Sequence, residues 1–162
     1  LDIVVLLDIE EMGLTGKLVS QTEIKCDGDV MHEIWGSKPH HISNISADNI
    51  QGCALHQGEW GTAGSIIFWN YVLDGKAEVS KQIIEAIDME NKTVVYKLIE
   101  GDVMELYKSF TVILHVDTKG ENNLVTWTFE YEKMNEGIQD PTNIMDFLVK
   151  VTKDIETHHL QP

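Results

Sequence analysis

The stretch Gly58-Glu59-Trp60-Gly61-Thr62-Ala63-Gly64 is rich in glycine, and such loops present backbone N–H groups to phosphate. A phosphate loop needs a Lys-Ser/Thr pair and the N-terminus of a helix behind it, whereas here a strand-like run follows, so nucleotide binding is set aside. His40-His41 and His158-His159 are adjacent pairs. Neighbours on a helix point in different directions, and the i, i+4 spacing of a zinc helix is missing, so no metal site is expected. These histidines read as surface residues, as does His115 on the polar face of its strand. Cys26 and Cys53 are too few for a disulfide framework and lack the close spacing of a zinc or redox motif, so they read as free thiols of a reducing cytosol. No Ser or Cys sits in a nucleophile elbow, and Glu130 and Glu132 share an outward strand face as a solubility feature. No catalytic residue is assigned and no cofactor is expected.

What remains is a set of aromatic side chains with polar handles. Val125, Trp127, Phe129 and Tyr131 alternate with Thr126, Thr128, Glu130 and Glu132, so one face of that run is wholly apolar. Burying one such aromatic removes about 150–250 Å² from water, worth at most roughly 4–6 kcal/mol. The same alternation groups Ile67, Trp69 and Tyr71, then Val94, Tyr96 and Leu98, then Phe110, Val112, Leu114 and Val116. A buried Tyr hydroxyl or Trp N–H needs a partner from protein, water or ligand, where a dry core would prefer Leu and Phe. Inward aromatics are also the ordinary filling of a sheet, so the pattern alone shows burial and not a cavity.

The elements that must position these residues follow from period and punctuation. Strands are expected over Gly16–Lys25, with Leu18, Ser20, Thr22 and Ile24 on one face, and over Ile50–His56, Ser65–Tyr71, Val79–Asp88, Thr93–Glu100, Lys108–Asp117 and Asn123–Glu132. Their short connections, notably Met89–Lys92 and Asp117–Gly120, make neighbours antiparallel. A short helix capped by Asp29 runs through Met31, Ile34 and Trp35 and stops at Gly36 and Pro39, and a second short turn spans Ser43–Asn49. Asp140 as cap and Pro141 at the first position open one long helix, whose stripe of Ile144, Leu148, Val151 and Ile155 must lie on the sheet. The layout is α+β.

A length of 162 residues with 43% hydrophobic side chains supports one folded core. The formal charge of −15 repels phosphate backbones, and no basic patch offsets it, so nucleic acid is excluded as a partner. The longest apolar run, Ile3 to Leu7, is too short to span a bilayer and has no basic flank, so neither a membrane span nor secretion is expected. Residues 1–13 read as an extension ahead of a single domain over 14–162.

Specific stretches carry a resemblance: GKL and EIK in the first strand, Pro39 to Asn44, Ile50-Gln51-Gly52-Cys53, Gly58-Glu59-Trp60-Gly61 with Gly64-Ser65, and Trp69-Asn70-Tyr71. It continues through Ile99-Glu100-Gly101-Asp102, Tyr107-Lys108-Ser109-Phe110, and Trp127 with Glu130 to Lys133. Over Leu14 to about Leu160 the chain resembles the major latex protein branch of the birch pollen allergen family, the plant pathogenesis-related class 10 proteins. The resemblance implies a helix-grip, START-like fold: a seven-stranded antiparallel sheet around a long C-terminal helix, with two short helices forming a V. It also implies a large hollow that takes hydrophobic molecules, with the glycine-rich loop joining the family's second and third strands and Glu100-Gly101-Asp102 near the cavity mouth. A hollow of several hundred Å³ would cost on the order of 5 kcal/mol or more at 24 cal/mol per Å³.

The expected function is binding of a hormone-, steroid- or flavonoid-like molecule by a cytoplasmic carrier or sensor linked to plant defence or stress. The expected wall is Ile67, Trp69, Tyr71, Val94, Tyr96, Leu98, Phe110, Val112, Trp127, Phe129 and Tyr131, closed by Leu148 and Val151 of the helix. A monomer is expected, with weak dimerisation as the alternative. The rival is an enzyme of the same fold acting on a hydrophobic secondary metabolite, as the Pictet-Spengler enzymes of this superfamily do. The faces read as inward carry no Lys, Asp or Glu, which leaves Tyr as the sole candidate acid. A phosphatase-docking hormone receptor is disfavoured, since the Ser-Gly-Leu-Pro-Ala gate of that branch is absent.

Overall fold

Short links between period-two runs leave each strand only its neighbour to pair with, and the sheet that results is antiparallel throughout. The computed structural model describes residues 2–7, 14–119 and 122–160. Eight strands form one sheet: β1 (Asp2–Leu7), β2 (Thr15–Ile24), β3 (Ile50–Gln57), β4 (Ile66–Leu73), β5 (Lys76–Asp88), β6 (Thr93–Gly101), β7 (Tyr107–Lys119) and β8 (Asn122–Lys133). Their spatial order is β1-β2-β8-β7-β6-β5-β4-β3. The seven strands expected from the sequence are all present. The expectation that regular strands begin at Gly16 is corrected, because Asp2 to Leu7 pair with Gln21 to Gly16 along the outer edge of β2.

Alternation places the side chains as expected. Leu18, Ser20, Thr22 and Ile24 of β2 and Val125, Trp127, Phe129 and Tyr131 of β8 are all buried. The Met89–Lys92 turn forms around Asp88, whose carboxylate accepts the backbone N–H groups of Glu90 at 3.1 Å and Asn91 at 3.0 Å. In the β7–β8 hairpin the ladder continues to Lys119 opposite Asn122, so Asp117, Thr118 and Lys119 belong to β7 and not to the expected Asp117–Gly120 turn, whose Gly120 lies outside the described residues.

The helices differ from expectation in their caps. α1 (Gly28–Ser37) is capped by Asp27 and not Asp29: the Asp27 Oδ1 accepts the Asp29 backbone N–H at 2.9 Å. A 3₁₀ turn at Pro39–His41 runs into α2 (Ile42–Ile45), ahead of the Ser43–Asn49 span. Ser46 and Asn49 lie past its end and donate from Oγ and Nδ2 to the Asp154 carboxylate at 2.7 and 3.2 Å, joining it to the last helix. That helix, α3, spans Thr142–Leu160, and its ladder starts with the Met145 N–H on the Pro141 carbonyl at 3.1 Å. The Asp140 carboxylate does not cap it. It accepts the Tyr131 hydroxyl at 2.5 Å and pairs with the Lys133 ammonium at 3.1 Å.

α3 lies on the concave face of the sheet with Met145, Val151, Thr152 and Ile155 fully buried. Two side-chain bonds fasten it: Ser20 Oγ donates to Met145 Sδ at 3.1 Å, and Trp127 Nε1 donates to Thr152 Oγ1 at 2.9 Å.

Candidate functional site

A sheet that curves around a single helix cannot fill all the space between them with side chains of one length, and here it leaves a hollow under the first half of α3. The cavity between sheet and helix has a volume of about 80 Å³. On that volume the packing penalty is about 2 kcal/mol at 24 cal/mol per Å³. The hollow of several hundred Å³ with its larger penalty is therefore corrected: the cavity is smaller and costs the fold little.

Of the thirteen residues expected to form the wall, eight line this cavity: Trp69, Tyr71, Tyr96, Leu98, Phe110, Val112, Trp127 and Leu148. Ile67, Val94, Phe129, Tyr131 and Val151 are buried but pack elsewhere in the core. Phe129 lies against Phe110 with ring centroids 5.0 Å apart, and Tyr131 lies between Tyr107 and Phe110 at 5.5 and 5.9 Å. Period two told which face each residue occupies but not its depth below the hollow.

The lining residues that the sequence reading missed come from places where alternation is uninformative. Trp35 reaches in from α1 and meets Trp127 edge-on at 4.9 Å. Ile144 and Phe147 on α3 join Leu148 as the half-buried roof, and Val103 enters from a 3₁₀ turn between β6 and β7. Ile50 and Leu73 sit at strand ends. On β5, Ser80 and Gln82 also line the cavity. The run Lys76 to Ile84 has polar residues on both faces, so it offers no apolar stripe by which to orient it.

Among the described residues, every buried aromatic handle but one has a protein partner. Trp69 Nε1 donates to Gln82 Oε1 at 3.1 Å, Tyr71 OH donates to Glu78 Oε1 at 3.0 Å, and Tyr107 OH donates to the Gln139 carbonyl at 2.6 Å. Tyr96 OH donates to the Trp35 carbonyl. Trp35 Nε1 has no acceptor and is shut off from solvent.

Two charged side chains, Glu78 and Lys133, turn inward beyond the faces read from the sequence. Glu78 sits opposite Tyr71 in the β4–β5 register, and Lys133 extends the inward alternation of β8 one step past Tyr131. Neither lines the cavity, whose described wall has no ionisable side chain other than tyrosine. Burial, reinforced by Glu78, raises the Tyr71 phenol above its ordinary range, and burial raises Tyr96. Both are neutral at pH 7 and weaker acids than free tyrosine, which leaves the wall without a group poised for proton transfer.

The thiols are equally quiet. Burial pushes Cys53 up to about 12, and burial with the nearby Glu156 carboxylate pushes Cys26 up to about 11. Thiolate is the nucleophile, so at pH 8 both should resist an aromatic disulfide reagent while the native state persists and react once denaturant is added. Labelling of the native protein at the rate of an unfolded peptide would contradict this.

The glycine-rich loop joins β3 to β4 as expected, with Gly58, Gly61 and Gly64 all at positive φ, and His40 stacks on its Trp60 with centroids 4.0 Å apart. His115 is exposed. Among the described residues no three of His, Cys, Asp and Glu gather as metal ligands would.

A curved antiparallel sheet gripping one long helix over an apolar hollow defines a helix-grip, START-like protein. The chain belongs to the pathogenesis-related protein Bet v 1 family, whose family model matches residues 13–162. MLP-like proteins 34 and 28 of Arabidopsis thaliana are each 46% identical over 153 residues, 93% of this chain. The chain spans about half the length of these two relatives, 48% and 46% respectively. The crystal structure of ginseng major latex-like protein 151 from Panax ginseng superposes with a TM-score of 0.90 at 57% identity, covering 92% of this chain and 100% of that one. Norcoclaurine synthase of Thalictrum flavum, solved with dopamine and hydroxybenzaldehyde, shares the fold at a TM-score of 0.71 and 16% identity, covering 91% of this chain and 90% of that one.

Proposed function

We propose that this domain is a cytoplasmic carrier or sensor of a hormone-, steroid- or flavonoid-like molecule, acting as a monomer in plant defence or stress. The observation that carries the reading is the cavity itself: a hollow between sheet and α3 with a wall of uncharged side chains. An engineered apolar cavity of about 150 Å³ takes up benzene, so a hollow nearer 80 Å³ must widen for a larger guest. The half-buried Ile144, Phe147 and Leu148 on the first turns of α3 are the part of the wall we assign to that widening. Ligand then stabilises the native state by mass action. Residues 1–13 are taken as an addition to the family domain and not as part of the site.

Binding is favoured over turnover because the charged inward residues are engaged elsewhere: Glu78 holds Tyr71, and Lys133 holds Asp140. No helix among the described residues is long and apolar enough to cross a membrane. The test is titration with a panel of hydrophobic hormones, sterols and flavonoids, following tryptophan fluorescence and melting temperature. Trp35, Trp69 and Trp127 all line the hollow, so an occupant should change emission and raise the melting temperature together. Silence across the panel defeats the proposal.

A further inference from the structure

Resting on the reading of the cavity as a ligand site, we infer that Ser80 and Gln82 of β5 form its polar recognition point, and that the natural ligand places an uncharged oxygen acceptor, a carbonyl or ether, against them. The inference follows from which hydrogen-bonding capacity is spent. An indole N–H can only donate, so the Trp69 Nε1 contact at 3.1 Å requires the carbonyl oxygen of the Gln82 amide on that side. This orientation turns the Gln82 NH₂ toward Ser80, where Nε2 donates to Oγ at 3.1 Å. Ser80 is thereby an acceptor in this pair and its own proton faces elsewhere. Among the described residues no acceptor receives it.

Ser80 is 3% exposed and lines the cavity, so the unspent O–H is out of bulk water and beside the hollow. A buried donor left without a partner is costly, which makes this hydroxyl receptive to an acceptor delivered by a guest. The second N–H of Gln82 offers an adjacent donor. Charge selects the acceptor further. Glu78, two residues along the same face, accepts the Tyr71 hydroxyl, and Asp102 accepts the Val79 backbone N–H at 2.8 Å, so this end of the hollow is flanked by carboxylates. No cation lines the wall to offset them, and a carboxylate-bearing guest is disfavoured relative to a ketone.

Trp35 Nε1 is the other unpartnered donor beside the hollow. It is a single donor, whereas Ser80 and Gln82 offer two side by side.

The test uses two bicyclic probes that differ by one carbonyl, indane and 1-indanone, with indane-1-carboxylate as the anion, measured by calorimetry on the full chain. The wild type should bind 1-indanone about 5–10-fold more tightly than indane, the ordinary worth of one net hydrogen bond, and the carboxylate more weakly than the ketone. Ser80→Ala should cut the ketone preference to what the Gln82 N–H groups still supply while leaving indane affinity within about twofold, and Ser80→Thr, which keeps the hydroxyl, should restore it. If indane binds and the wild type shows no preference for the ketone, or Ser80→Ala weakens both probes equally, the recognition point is refuted and the cavity reading stands. If none of the probes binds, the cavity reading fails and the recognition point fails with it.

Discussion

Replacing Trp127 with alanine should lower the stability of the domain by about 3–5 kcal/mol, the range for deleting a large aromatic from a tight core. Trp127 is 0% exposed, meets Trp35 edge-on, and its indole N–H reaches Thr152 on α3. Thr152 in turn donates to the Leu148 carbonyl at 2.7 Å, so one indole couples the sheet to the helix beside the cavity roof. Deleting it removes packing, orphans the hydroxyl contact and merges new empty volume with the existing hollow. At about 2–4 °C per kcal/mol for a chain of this size, the melting temperature should fall by roughly 6–20 °C. Trp127→Phe keeps an aromatic ring but loses the N–H and part of the buried ring volume, so it should cost about 1–3 kcal/mol. Thermal and urea unfolding of both variants provide the check. A Trp127→Ala protein within 1 kcal/mol of its parent would show that the indole is not the joint described here.

Gly101→Ala should be comparably severe for a different reason. Gly101 ends β6 at a φ of +124°, a conformation side chains rarely adopt, and a Cβ there would overlap the Val79 carbonyl oxygen and lie 2.9 Å from the Ser80 Cα. Both obstacles are backbone and cannot rotate away. Strain of about 1–3 kcal/mol and overpacking of about 1–3 kcal/mol together predict a loss of about 2–6 kcal/mol. The displaced atoms belong to the strand that carries Ser80, so the variant should also lose apolar-probe affinity at temperatures where it remains folded. Gly52→Ala is the control: at that glycine an added Cβ meets nothing within 4 Å, and φ is ordinary. Equal unfolding midpoints for the two alanine variants would refute the steric argument.

The carboxylate at Asp140 illustrates where local rules stop. Asp followed by Pro is a strong signal for a helix start, and α3 does begin there. Yet the side chain turns to Tyr131 and Lys133, because burial of the Lys133 ammonium, whose side chain is 9% exposed, demands a counter-charge more strongly than the helix demands a cap. Capping is a local choice; pairing a buried charge is a tertiary one. Asp29 differs in a simpler way. It lies inside the first turn of α1, so only Asp27, just ahead of the helix, is placed for its carboxylate to accept the N–H two residues on.

The sequence by itself determined the α+β class, the seven family strands and which face of β2, β4, β6, β7 and β8 turns inward, because side-chain period is a property of each strand alone. The resemblance over Leu14 to about Leu160 supplied the helix-grip arrangement. Tertiary structure alone decided that Trp69, Tyr71 and Trp127 reach the hollow while Phe129 and Tyr131 fill solid core, since depth depends on how far α3 stands off a curved sheet. It also decided the inward face of β5. That strand has no apolar stripe to read, and its Glu78, Ser80 and Gln82 turn inward where the hydroxyl and indole N–H of β4 need acceptors. The register of two strands brings those groups together, and register across a sheet is a relation between segments that neither segment encodes alone.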